Sequence, residues 1–133
     1  MRRLSAAYGV SLVALCVCDF LWLGVIAAGF YQAELGPMLL ARPYLLPAAL
    51  FYLLYPVGIV AFCVRPALAG GTWRGALISG ALFGLVAYGT YDLSNLATLK
   101  GWSTTVAVVD MLWGMAVSAI GATLGFLAAA RMR

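Results

Sequence analysis

Residues 75–97 read GALISGALFGLVAYGTYDLSNLA. The stretch is long enough to cross a bilayer, which takes ~20 apolar residues in a helix. Within it Gly80, Gly84, Tyr88 and Asp92 recur every four residues, with Asn95 three further on. Positions three or four apart share a helix face. Small residues on that face let a second helix approach closely at one end, and polar groups gather at the other. The rest is continuously apolar. A strand of a membrane barrel would alternate apolar and polar residues over about ten positions, so this element is a helix in lipid.

Three further apolar runs flank it, at about residues 5–30, 44–64 and 105–129. Of the 133 residues, 65% are hydrophobic and 9% charged, whereas soluble domains carry about 25% charged residues. A chain this short cannot bury so much apolar surface in water. The expected architecture is all-α: one membrane domain, residues 1–133, folded as a polytopic four-helix bundle. The apolar run after Arg2 and Arg3 is far longer than the ~7–15 residues of a signal-peptide core, which predicts a retained first helix.

The connectors are short. Residues 31–43 hold Glu34, Gly36, Pro37, Arg42 and Pro43, with Met38, Leu39 and Leu40 as a short amphipathic turn along the interface. Residues 65–74 hold Pro66, Gly70 and Gly71, and 98–104 form a tight turn around Lys100, Gly101 and Trp102. Short links predict that the last three helices pack as antiparallel neighbours. With alternating helices, Arg2, Arg3, Arg65, Arg74, Arg131 and Arg133 fall on one side, and Arg42 and Lys100 on the other. Six against two predicts that both termini are cytoplasmic. Tyr31, Tyr44, Trp73 and Trp102 fall where interfacial aromatic belts form. Basic residues at helix ends mark topology rather than a phosphate-binding stripe, so the net charge of +4 does not imply nucleic acid.

Three of the four acidic residues, Asp19, Asp92 and Asp110, lie inside the apolar runs. Each would cost about 2.5–3.5 kcal/mol at mid-membrane, and the three together roughly 8–10 kcal/mol if uncompensated. They should therefore face the bundle interior. At ~1.5 Å per residue, Asp92 lies roughly 9 Å outward of its helix midpoint, and Asp110 lies at a similar depth on the returning helix. The two should face each other across the hairpin, with Asp19 nearer mid-membrane. Asp110, Gly114, Ser118, Gly121 and Gly125 repeat the small-and-polar pattern, while Tyr44, Ala48, Tyr52 and Tyr55 have compatible spacing on the second helix, whose tyrosine hydroxyls could donate to carboxylates.

The candidate ligand-binding set is Asp19, Trp22, Tyr52, Tyr55, Tyr88, Tyr91, Asp92, Asn95, Lys100, Asp110 and Trp113. Lys100 and Arg42 are the nearest cations available to pair with a carboxylate. Bland readings stand beside the functional one. Glycine stripes usually mean helix packing, buried aspartates can be neutral structural links, and the repeated Asp-x-x-Trp of Asp19–Trp22 and Asp110–Trp113 can be core packing. Cys16, Cys18 and Cys63 read as small buried hydrophobes. With no histidine, histidine-bound haem, zinc or iron is not expected, and no cofactor or resident metal is implied.

The segments Asp19-Phe20-Leu21-Trp22-Leu23-Gly24, Leu50-Phe51-Tyr52-Leu53-Leu54-Tyr55 and Val109-Asp110, with Trp113-Gly114, resemble a bacterial family of small membrane proteins, domain of unknown function 2177. The stretch from Tyr91 to Trp102 is the most specific part of the likeness, which spans almost the whole chain. The resemblance implies a multi-pass bacterial inner-membrane protein and carries no activity. On the residues themselves, the first expectation is binding or transport of a cation or small cationic or lipophilic solute with proton coupling, in a chain expected to oligomerise to enclose a path. The alternatives are a membrane-embedded enzyme acting on a lipid or quinone-like substrate, with Asp92 or Asp110 as general acid or base, and an accessory subunit whose polar groups hold helices together. No nucleophile–base constellation or phosphate loop supports the enzyme.

Overall fold

The computed structural model describes residues 1–132; Arg133, counted above among the basic residues at the helix ends, lies outside the described residues. Four helices are long and apolar enough to cross a membrane: α1 (Arg2–Ile26), α3 (Leu45–Gly70), α4 (Trp73–Thr98) and α5 (Thr104–Arg131). A short helix, α2 (Ala28–Leu35), and a 3-10 turn (Gly36–Met38) fill the link between α1 and α3. Among the described residues there is no strand.

The α4–α5 hairpin is the most extensively packed pair, and small residues make it so. A Cβ on Gly84 would overlap the Gly114 carbonyl oxygen, and one on Gly80 would come within 2.8 Å of Ser118 O and Ala122 Cβ. Gly114 in turn lies under the Tyr88 ring. Packing attraction, rather than water exclusion, drives helix association in lipid, so backbone proximity stabilises the hairpin directly. On α1, Ala7, Ser11, Leu15 and Asp19 are buried at four-residue intervals, a face turned to α5. There Ser11 Oγ donates to Gly121 O at 2.9 Å, and a Cβ on Gly125 would collide with the Ser11 hydroxyl.

Outward faces are apolar and bare: Leu45, Leu46, Leu54 and Phe20 are all more than two-thirds exposed. Lipid is the solvent such a surface suits. The turns carry the expected chemistry. Gly71 (φ 78°) and Gly101 (φ 79°) take left-handed conformations that glycine adopts without strain. Thr72 and Ser103 cap the helices that follow by accepting from Gly75 N–H (3.3 Å) and Val106 N–H (3.2 Å).

Two departures from regular helix shape the site. Residues Trp22–Ile26 form a π turn, closed by Ala27 N–H donating to Trp22 O at 2.7 Å, and the chain breaks direction at Ala27 (φ −110°, ψ 7°). The apolar run expected as one helix over 5–30 therefore divides at Ala27, and Phe30 and Tyr31 belong to α2. In α3 the interior Pro56 lies just before a second π turn, Val60–Val64. Proline cannot donate within a helix, and the π turn brings Cys63 and Val64 into the core.

Candidate functional site

At the end of the bundle remote from both termini, the four long helices enclose a cavity of about 790 Å³ roofed by the α1–α3 link. Drug-sized sites span roughly 300–1,000 Å³. Its walls are Phe51, Tyr52 and Tyr55 of α3, Tyr88 and Tyr91 of α4, and Trp113 of α5; Asp19 and Asp110 supply the carboxyls. Tyr31 and Leu35 of α2, with Leu39 and Trp102, form the roof.

Asp19, 5% exposed, accepts two hydrogen bonds: from Tyr52 Oη to Oδ2 at 2.8 Å and from Trp113 Nε1 to Oδ1 at 2.8 Å. Asp110 Oδ1 accepts from Tyr31 Oη at 2.7 Å, and Tyr31 Oη accepts from Trp22 Nε1 at 3.2 Å. The Trp22 and Trp113 rings stack with centroids 4.6 Å apart and planes 7° apart. One circuit thus runs from Asp19 through Trp113 and Trp22 to Tyr31 and Asp110. The π turn makes it possible: it swings Trp22 onto Trp113, and the break at Ala27 folds Tyr31 back over Asp110. Burial pushes the Tyr31 hydroxyl above the ordinary tyrosine range, against the opposing Trp22 N–H, so Tyr31 remains a proton donor in this circuit.

Asp92 is different. It is fully buried, and neither carboxyl oxygen receives a hydrogen bond from a protein donor. It lies beside the Asp110 carboxyl. Two carboxylates accept and cannot donate, so only a proton held between them would join the pair. Among the described residues, every donor that reaches Asp19 or Asp110 is a neutral hydroxyl or indole, and no basic residue lines the cavity. Among the described residues no group of three His, Cys, Asp or Glu side chains is arranged to hold a metal ion.

The structure gathers Asp19, Tyr52, Tyr55, Tyr88, Tyr91, Asp110 and Trp113 at the cavity, with Trp22 behind Trp113 and Asp92 behind Asp110. Tyr55 hydrogen-bonds Ser118 at 2.7 Å on the floor. Asn95 is half-buried and Lys100 exposed, and neither lines the cavity. Tyrosine and tryptophan take the place expected for Lys100 and Arg42 beside the carboxylates. Tyr44 is likewise turned out, 71% exposed. Asp19, expected near mid-membrane, shares the site with Asp110 because α1 ends at Ile26 rather than near residue 30.

Sequence reasoning placed Tyr31 and Trp102 in an interfacial belt. In the structure Tyr31 also holds Asp110, and Trp102 roofs the cavity with its indole N–H buried and, among the described residues, without an acceptor. The eight residues between Trp22 and Tyr31 carry no motif that announces their contact. No curated protein and no solved structure matches the chain. A family described as "Predicted membrane protein (DUF2177)" matches residues 4–127; four lipid-suited helices around a carboxyl-bearing cavity agree with that description, and the chain belongs to this family of membrane proteins.

Proposed function

We propose that this protein binds a lipophilic cation in the outer half of the bacterial inner membrane and exchanges it for a proton. The carrying observation is a largely aromatic cavity that holds two carboxyls and no basic side chain. Carboxylates supply the charge, and the faces of Tyr52, Tyr55, Tyr88 and Trp113 attract a cation through their π systems, each by about 0.5–2 kcal/mol. The lining is mostly apolar, so Coulombic attraction there is stronger than in bulk water.

Asp92 and Asp110 are the proton carriers in this reading. With the cavity empty, the pair keeps a proton between its carboxyls. A cation entering beside Asp110 repels that proton, which leaves as the cation binds, so the cavity's net charge is unchanged. Asp19, already held by two donors, is the fixed anionic wall. With both termini cytoplasmic, as the distribution of basic residues favours, the cavity lies toward the periplasm.

Proteoliposomes containing a pH-sensitive dye test this directly. Ethidium added to the wild type should drive proton movement, and Asp92→Asn and Asp110→Asn should lose it while still inserting and folding. Absence of ethidium-driven proton movement in the wild type, or its persistence in both variants, overturns the proposal.

A further inference from the structure

The cavity is roofed at the end of the bundle and open at the side between α3 and α4. The roof is tied down twice. Tyr31 donates to Asp110, and Ser103, the residue capping α5, hydrogen-bonds Glu34 of α2. Beneath it Leu35 is 5% exposed and Val106 1%. The side between α3 and α4 is unlike this. The two helices meet at and below Tyr55, whose ring lies 5.4 Å from that of Phe83, and Phe83 also covers Gly58. Above that level the backbone of residues 45–54 runs clear of the α4 backbone. The cavity residues along this gap are exposed: Pro47, Phe51 (40%) and Tyr91 (55%).

Resting on the cation-binding reading above, we propose that the ligand arrives sideways from the outer leaflet between α3 and α4, and is an ammonium head on an alkyl or acyl chain. The head reaches Asp19 and Asp110, and the chain stays in the gap between Phe51 and Tyr91, where leaving it in hydrocarbon costs nothing. A small water-borne cation would gain the carboxylates but not the gap. It would also have to pass the tied roof. Trp102 adds a further point of recognition: its N–H, buried without an acceptor, suits an oxygen carried close to the ammonium. Both a free alkylamine and an aminolipid headgroup have this chemistry.

Tryptophan fluorescence of the full chain in maltoside micelles reads binding through Trp22 and Trp113. The probes are tetramethylammonium and dodecyltrimethylammonium, which share a head and differ in the chain, with Asp19→Asn as the background for micelle partitioning. We expect dodecyltrimethylammonium to bind at least about tenfold more tightly, since its chain partitions into the micelle and holds the head at a high local concentration beside the gap. Ala48→Phe, placed in the wall beside the gap, should weaken the long-chain probe about tenfold and leave tetramethylammonium within about twofold. Should that variant fail to fold, the wild type carries the test through butyl, octyl and dodecyl homologues, whose affinities must rise with length.

Equal affinity for both probes, lost in Asp19→Asn, overturns sideways access and leaves cation binding standing. Failure of both probes to bind overturns both. Competition by added phosphatidylethanolamine supports the proposal and identifies an aminolipid headgroup as the source. Chain-dependent binding that phosphatidylethanolamine does not displace supports it equally, with a free alkylamine as the ligand.

Discussion

Asp92 carries a burden that a purely structural residue would have little reason to keep: it is fully buried with two acceptors and no protein donor. Leaving a buried polar group unsatisfied costs about 1–3 kcal/mol. An amide at this position would donate to Asp110 without needing a proton. Asp92→Asn is therefore expected to raise the melting temperature in detergent while abolishing cation-driven proton movement. A stability loss with activity retained would assign Asp92 a structural role instead. Asp19 responds in the opposite sense, because its donors are already in place. Trp113→Phe removes one of them and leaves Tyr52 as the other, so cation affinity should change by about tenfold or less, measured by fluorescence titration. The depth match of Asp92 and Asp110 was legible because helical rise is a constant. The partners of Asp19 were not legible, since they depend on where α1 ends.

Elements differ in how much of their geometry lies in local sequence. The α4–α5 hairpin is written in its glycines, since only a side chain reduced to hydrogen lets Gly84 lie on the Gly114 carbonyl. Gly84→Ala forces the helices apart, and overpacking of this kind costs typically ~1–3 kcal/mol; it should lower the melting temperature more than Gly29→Ala, where a Cβ meets nothing within 4 Å. The break at Ala27 lacks such a signature. No proline marks it, and apolar residues run through it to Phe30. The contacts that accompany it, Trp22 stacked on Trp113 and Tyr31 bonded to Asp110, come from a helix distant in the chain. The tie between α2 and α5 is similarly tertiary. Glu34→Ala removes the acceptor for Ser103 and leaves the helix cap itself in place. Hydrogen exchange in residues 28–39 should then quicken while the α4–α5 hairpin keeps its protection.

At the scale of the whole molecule, composition and span count settle the solvent but not which way the bundle faces. Orientation decides whether the cavity draws from the outer or the inner leaflet, so the proposed chemistry depends on it. Arg2, Arg3, Arg65, Arg74 and Arg131 gather at one end, where Arg3 Nε donates to Ala129 O at 3.1 Å and joins the first helix to the last. Lys100, exposed in the opposite turn, marks the other end beside the cavity roof. Short basic loops tend to stay on the cytoplasmic side during insertion, which predicts Arg74 inside and Lys100 outside. Two cysteine variants read this out, because the native Cys16, Cys18 and Cys63 lie in apolar helical segments away from either aqueous face. In intact cells a membrane-impermeant maleimide should label Lys100→Cys, and Arg74→Cys should react only after permeabilisation. The reverse pattern would turn the cavity toward the cytoplasm and make the inner leaflet its source of amphiphile, with the carboxyl geometry unchanged. Equal labelling of both variants would mean that the chain inserts both ways, and the basic end would then have no hold on topology.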